Sequence, residues 1–138
     1  MTYLYLIREV GLPYYKVGIA GDPNERLRSL QTGNSSKLAL IRKWPFRLRI
    51  VAKRFESEIH RVHNESRKQG GTEWFHLDDD DLDELIAYLD HPSLIEAEDM
   101  AERQEEALKA APWIMGVLMV VLAVGKEVFK AYANKKNT

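Results

Sequence analysis

Apolar and polar positions in the first half of the chain follow two different periods. Aromatic and β-branched residues fill Tyr3–Arg8 and Tyr14–Ala20, so two strands are predicted there, joined by a turn at Gly11–Pro13. Near-alternation over Leu38–Phe46 predicts a third strand. Helical segments separate and follow these strands, which places the N-terminal part of the chain in the α/β class.

Two helices are predicted from capping residues and spacing. Asp22 is a good N-cap and Pro23 suits the first helical position, so a first helix is expected from Asp22 to about Leu30. Apolar residues recur every three or four positions after Ile50, which predicts a longer helix over about 49–67.

The next segments alternate between turns and helices. Residues 69–72 predict a turn, and 73–77 predict a short strand or a buried strap. The acids Asp78–Asp81 precede an amphipathic pattern, and we interpret them as the start of a helix because acidic side chains complement the helix dipole there.

The C-terminal part differs from the rest. Residues 94–111 are rich in Glu and Ala and predict a solvated helix or connector. Residues 110–125 are roughly 16 mostly apolar positions, short of the ~20 that span a bilayer. A helix over 112–134 could anchor the chain in a membrane, join copies into a homo-oligomer, or pack on the N-terminal domain. The expected organisation is a domain over 1–90, an acidic connector over 91–111 and the apolar helix over 112–134.

Charge is segregated along the chain. Residues 1–68 hold 14 Lys and Arg against 6 Asp and Glu, residues 69–111 hold 2 against 14, and the last 27 hold 4 against 1. A basic N-terminal part concentrates polyanions such as nucleic acid, although it could instead pair with the acidic segment of the same chain. Cysteine is absent, which excludes disulfides and thiolate chemistry, and no signal peptide is evident, so we expect a cytoplasmic protein.

An ordered set of short motifs runs over about the first 90 positions: Tyr3–Tyr5, Lys16–Gly18, Arg26–Asn34, Phe55–Glu56, Ile59–His60 and Glu73–Phe75. This set resembles the GIY-YIG nuclease superfamily, in its small single-domain phage and bacterial branch with a Lys-Ile-Gly type second motif. The resemblance implies a small antiparallel three-stranded sheet flanked by helices (α+β). It also implies an endonuclease that hydrolyses DNA phosphodiester bonds with Mg²⁺ or Mn²⁺.

The same resemblance implies roles for individual residues. Glu56 matches the metal ligand, with Glu58 as a second choice, and the matched catalytic residues are Tyr5, Lys16, Arg26 and His60. Either Tyr5 or Lys16 could be the base, and Arg26 has the fixed fork that suits a phosphate.

The substrate-binding candidates are Gly18, Asn34, Arg49 and Lys53. A side chain at Gly18 would crowd a close backbone approach, which is why glycine is expected there. Four assignments have a structural alternative: Tyr5 as a core residue, Glu56 as a surface ion-pair partner, His60 as a hydrogen-bonded helix residue, and Asn34 as a turn residue.

Two other classes of function compete with the nuclease. One is a DNA-binding module that keeps the basic surface without cutting. The other is a membrane or assembly protein in which the apolar C-terminal segment is the functional part.

Overall fold

The computed structural model describes residues 1–67, 73–110, 130 and 133–134. The elements in chain order are β1 (Thr2–Glu9), β2 (Tyr14–Ala20), α1 (Pro23–Thr32), β3 (Leu38–Phe46), α2 (Arg49–Val62), a 3₁₀ turn (Asn64–Ser66), β4 (Trp74–His76), α3 (Asp79–Leu89) and α4 (Ser93–Ala110). The chain divides into two compact units, Met1–Leu82 and Asp83–Thr138. The three-part division expected from the sequence, at 1–90, 91–111 and 112–134, stays a prediction.

The first unit contains one antiparallel sheet in the order β3-β1-β2-β4. The predicted α+β class is confirmed, but the sheet has four strands where three were expected. The additional strand is β4, which lies where a short strand or a buried strap was expected over 73–77, and it pairs with β2 from Tyr14 to Lys16. Its central residue Phe75 is 1% exposed and lies opposite Tyr15, so burial of one aromatic side chain accounts for a strand only three residues long.

Strand β1 is covered on both faces, so its residues Leu4–Ile7 are all buried. Side chains alternate between the faces of a strand, and Tyr5 and Ile7 therefore share one face. Leu27 and Leu30 of α1 pack against that cluster. We call this side of the sheet the α1 face.

The opposite side of the sheet packs against α2, and we call it the α2 face. Phe46 and Phe55 lie with ring centroids 5.7 Å apart, and His60 meets the edge of the Phe75 ring at 5.1 Å. Helix α2 ends at Val62, several residues earlier than predicted. The next residue, His63, is 2% exposed and packs against Phe75, so the chain turns inward there and continues as the 3₁₀ turn.

The start of α1 is confirmed as predicted. Asp22 is the N-cap, and its Oδ1 accepts hydrogen bonds from the backbone N–H groups of Asn24 (3.0 Å) and Glu25 (3.1 Å). Pro23 occupies the first helical turn, where its missing N–H removes no hydrogen bond. Strand β3 is also confirmed over Leu38–Phe46, and it tolerates Pro45 because it is an edge strand.

Asp78 directly precedes α3, and its Oδ1 accepts a hydrogen bond from the Asp81 N–H at 2.7 Å, as a helix cap does. In the second unit, α4 buries Leu94, Ala97 and Glu98. Among the described residues, no helix has the length and apolar character needed to cross a membrane. The predicted turn at 69–72 and the predicted apolar helix over 112–134 lie outside the described residues, apart from positions 130, 133 and 134.

The Asp22 cap provides a test of this fold. Asp22→Ala leaves two backbone N–H groups at the start of α1 without their acceptor, so the free energy of unfolding should fall by about 1 kcal/mol. Urea unfolding followed by tryptophan fluorescence measures the change. Asn24→Ala keeps the same N–H groups and the same cap, and it is the matched control; equal stability of the two variants would contradict the cap.

Candidate functional site

Tyr5 lies across the backbone of Gly18. The two residues are directly paired between β1 and β2, and both are buried. A Cβ at Gly18 would overlap the Oη and Cζ atoms of the phenol. The expectation that a side chain at Gly18 would crowd its surroundings therefore agrees with this geometry, and the group that it would crowd is the Tyr5 ring.

Arg26 makes a hydrogen bond with the Tyr5 phenol from the first turn of α1. Burial raises the pKa of Tyr5 above its ordinary value of 10.0, and the hydrogen bond and charge of Arg26 oppose that rise. The carboxylates of Glu56 and Glu73 raise the pKa further by their negative charge. The phenol in the free protein is therefore neutral near pH 7.

Lys16 is 5% exposed, and its Nζ forms an ion pair with Glu73 Oε2. Glu73 directly precedes β4, and Lys16 is paired with the neighbouring Trp74, so the end of the β2–β4 ladder brings the two charges together. The hydrogen bond from Lys16 is the largest cause that lowers the pKa of Glu73 below 4.5, and His60 and Arg26 act in the same direction. Glu73 belongs to one of the motifs in the sequence analysis, which assigned it no functional role.

His60 approaches the sheet from the α2 side. Its Nε2 lies 2.8 Å from the carbonyl oxygen of Val17 in β2, and since a carbonyl only accepts, Nε2 carries the hydrogen. Within the described residues, β4 pairs with β2 only as far as Lys16. His60 therefore binds a backbone acceptor just beyond the point where the strand pairing stops.

Glu56 lies one turn before His60 on α2, and its Oε2 is 3.0 Å from Lys53 Nζ. Its negative charge acts on Tyr5, so it belongs to the same cluster although it comes from the other face of the sheet. Glu58, the second choice for a metal ligand, is ion-paired with Arg54 and Arg61 at 3.1 Å each. We call the set Tyr5, Lys16, Gly18, Arg26, Glu56, His60 and Glu73 the β2-edge cluster.

A groove of about 430 Å³ runs along α2 and the 3₁₀ turn from this cluster. It is lined by Lys53, Glu56, Ser57, His60, Arg61, Asn64 and Arg67. The Arg67 guanidinium lies over the Phe75 ring at 5.5 Å, which limits its movement. Three of the lining side chains are cationic, so the groove suits an anionic chain better than a neutral ligand.

Three of the four predicted substrate-binding residues lie outside the cluster, and one of these, Lys53, lines the groove. Asn34 Oδ1 accepts a hydrogen bond from the Ser36 N–H at 2.9 Å, which is the turn role that was its structural alternative. Arg49 is exposed at the first position of α2, on the same helical face as Lys53 and Glu56 but two turns before Glu56.

A family model described as the T5orf172 domain matches residues 2–90, which cover the whole sheet, α1, α2 and the β2-edge cluster. The chain belongs to the T5orf172 domain family. Domains of this family are associated with nuclease-like and DNA-binding proteins. No curated protein and no solved structure matches the chain.

This match corrects the family resemblance drawn from the motifs. The model that matches is that of the T5orf172 domain, and the assignment to the GIY-YIG nuclease superfamily is wrong. Triplets such as Tyr3–Tyr5 and Lys16–Gly18 encode a tyrosine packed on a glycine between two strands, and so short a pattern does not identify a family. Roles in the T5orf172 domain must therefore be argued from its own geometry.

The Tyr5–Gly18 contact predicts the effect of adding one methyl group. Gly18→Ala should displace the Tyr5 ring and lower the free energy of unfolding by about 1–3 kcal/mol, as overpacking does elsewhere. Gly33→Ala is the control, because a Cβ there meets nothing within 4 Å and the residue has a φ of -101°. Thermal and urea unfolding compare the two; similar stabilities would show that the ring can move aside freely.

The Lys16–Glu73 pair predicts a pH dependence of stability. Because folding lowers the pKa of Glu73, the pair stabilises the folded state above about pH 4.5, and this contribution is lost as the pH falls through the lowered value. Glu73→Gln should remove it. The free energy of unfolding should differ between wild type and variant by less than about 1 kcal/mol at neutral pH, since the Glu73 side chain is 64% exposed.

Urea unfolding at a series of pH values measures this difference. It should shrink toward zero in acid. A difference that stays constant below pH 4 would mean that the ion pair is not its source.

Proposed function

We propose that this T5orf172 domain is a divalent-metal-dependent endonuclease that hydrolyses DNA phosphodiester bonds at the β2-edge cluster. The observations that carry the proposal are the Tyr5–Arg26 hydrogen bond and the buried Lys16 at one edge of the sheet, beside a cationic groove. The carboxylate Glu56 lines that groove, and its charge acts on Tyr5. Phosphodiester hydrolysis needs cations around the phosphate, a group that handles the proton of water, and a ligand for a metal ion. The cluster offers a candidate for each need.

The cations have separate tasks in this proposal. The planar guanidinium of Arg26 can bind two phosphate oxygens, while the Lys16 ammonium acts as a point charge. Both stabilise the negative charge that builds up as the water oxygen bonds to phosphorus and the phosphorus–oxygen bond to the leaving group breaks. The cationic groove would then hold the backbone of the strand next to the broken bond.

Of the two candidate bases, the geometry favours Tyr5. The Nζ of Lys16 is already engaged in its ion pair with Glu73. The Tyr5 phenol is hydrogen-bonded to Arg26, but its pKa is raised by burial, so it needs more positive charge nearby before it can lose its own proton.

The residues present fit Mg²⁺ or Mn²⁺ held by Glu56. The described parts of the chain contain no cluster of three or more His, Cys, Asp or Glu suited to a metal ion. Mg²⁺ does not require one, because it is commonly held by one or two carboxylates together with water and substrate phosphates. When bound, the ion would supply the positive charge that Tyr5 needs before it can lose its proton and that stabilises the negative charge on the phosphate. Lys53 would have to release Glu56.

The second candidate function is a DNA-binding module that does not cut. One observation favours it. Lys16 is ion-paired with Glu73, and Glu56 is ion-paired with Lys53, so both proposed catalytic groups already have partners in the free protein. The cleavage experiment separates the two functions.

Cleavage of supercoiled plasmid by the full chain, with Mg²⁺, with Mn²⁺ and with chelator, tests the enzyme. Metal-dependent nicking should fall about 10²- to 10³-fold in Arg26→Ala, because a donor aimed at the transition-state charge is lost. Glu56→Gln should abolish the metal-dependent nicking, because the carboxylate that holds the ion is lost.

The matched controls are Arg28→Ala and Glu65→Gln, which change an exposed charge of the same sign outside the cluster. They should cut at close to the wild-type rate. Salt-sensitive DNA binding without any nicking would leave the non-cleaving module as the function.

A further inference from the structure

One carboxylate of the chain interacts with the same groups that the proposed reaction assigns to a phosphate. Glu73 Oε2 is ion-paired with Lys16 Nζ. Arg26 and His60 also act electrostatically on this carboxylate and hold its pKa low, after the larger effect of Lys16. Carboxylates and phosphates are bound by the same charge-assisted hydrogen bonds. Glu73 thus provides, within the chain, the kind of anion that this site is built to hold.

We propose that Glu73 is an internal stand-in for the phosphate of the nucleic acid. Its carboxylate holds the Lys16 ammonium in the free protein and gives it up when a nucleic-acid strand binds. The inference rests on the proposed function, which makes Lys16 and Arg26 a phosphate site, and adds the competitor that a substrate must displace.

The two partners differ greatly in their freedom to separate. Lys16 is 5% exposed, and its backbone is paired with Ile7 on one side and Trp74 on the other. Glu73 precedes a three-residue strand, and its side chain is 64% exposed. The carboxylate can rotate into water at little cost, whereas the ammonium stays where it is. A ligand anion therefore binds Lys16 by displacing the Glu73 carboxylate, while the ammonium stays in place.

The pairing also has a reason in the free protein. A mostly buried ammonium is more stable beside a counter-charge, although the 64% exposure of the Glu73 side chain keeps this gain small. Glu73 neutralises Lys16 until a phosphate does. The pairing lowers the affinity for the nucleic acid, because part of the attraction between Lys16 and the phosphate only replaces the existing Lys16–Glu73 interaction.

Removing the charge of Glu73 should therefore strengthen binding. Glu73→Gln keeps the shape of the side chain and still offers Lys16 an amide oxygen, but it no longer competes as an anion. We expect the Kd for a DNA duplex to fall about three- to tenfold, in line with the strength of a partly exposed ion pair. If Glu73 served only to hold the fold around Lys16, the same change would leave binding equal or weaker.

Fluorescence anisotropy with a labelled duplex tests this, using the full chain with chelator present so that the DNA stays intact. Glu65→Gln is the matched control, since it removes the same charge from an exposed position in the 3₁₀ turn and reports the general electrostatic effect. Glu73→Gln should bind more tightly than both wild type and this control. Thermal unfolding of each variant confirms that it is folded.

A double-mutant cycle with Lys16→Met identifies the route of the effect. In the Lys16→Met background, Glu73→Gln should no longer improve binding, because the ammonium that it frees is gone. A gain that persists in that background, or folded Glu73→Gln protein that binds no more tightly than wild type, would overturn the inference while leaving DNA cleavage by the wild type intact. Failure of the wild type to bind or cut DNA would overturn both proposals.

Discussion

The β2-edge cluster depends on the packing of the Tyr5 ring against the bare backbone of Gly18. The contact fixes the phenol close to the edge of β2, within reach of Arg26 in the first turn of α1. Burial that results from this packing also sets the acid–base character of the phenol. The glycine at position 18 therefore determines both the position of the Tyr5 hydroxyl group and, through burial, the direction in which its pKa is shifted.

Most of the charged side chains in and beside the cluster are ion-paired with a side chain of opposite charge. Lys16 is matched by Glu73, Lys53 by Glu56, and Arg54 and Arg61 by Glu58. The excess of positive charge in residues 1–68 is thus not a uniform field over the surface. A ligand that binds the cluster enters a network whose charges already have partners, so its affinity depends on which of these partners give way. The exposed ones, such as Glu73, do so at the lowest cost.

The parts of the fold that were predictable from sequence are those set by local chemistry. The bounds of β3 and the Asp22 cap follow from alternation and from side chains that bind their own helix. Strand β4 has too few residues to show a period, so the sequence predicted a short strand or a buried strap over 73–77 without its pairing, which depends on the burial of Phe75 against the rest of the domain. The role of Glu73 was missed for the same reason, because a contact across 57 positions leaves no local signal. The family was misassigned because short triplets record strand geometry and not descent.

The contact between His60 and the carbonyl oxygen of Val17 has a consequence for solubility. A strand whose edge groups lack partners is a template for pairing with another chain, and proteins protect such edges with charges, bulges or covering side chains. Here an imidazole covers the edge at the position where β4 stops pairing in the described structure. Replacing the ring would remove this hydrogen-bond donor from the Val17 carbonyl oxygen, so the histidine contributes to the protection of the strand edge as well as to the cluster.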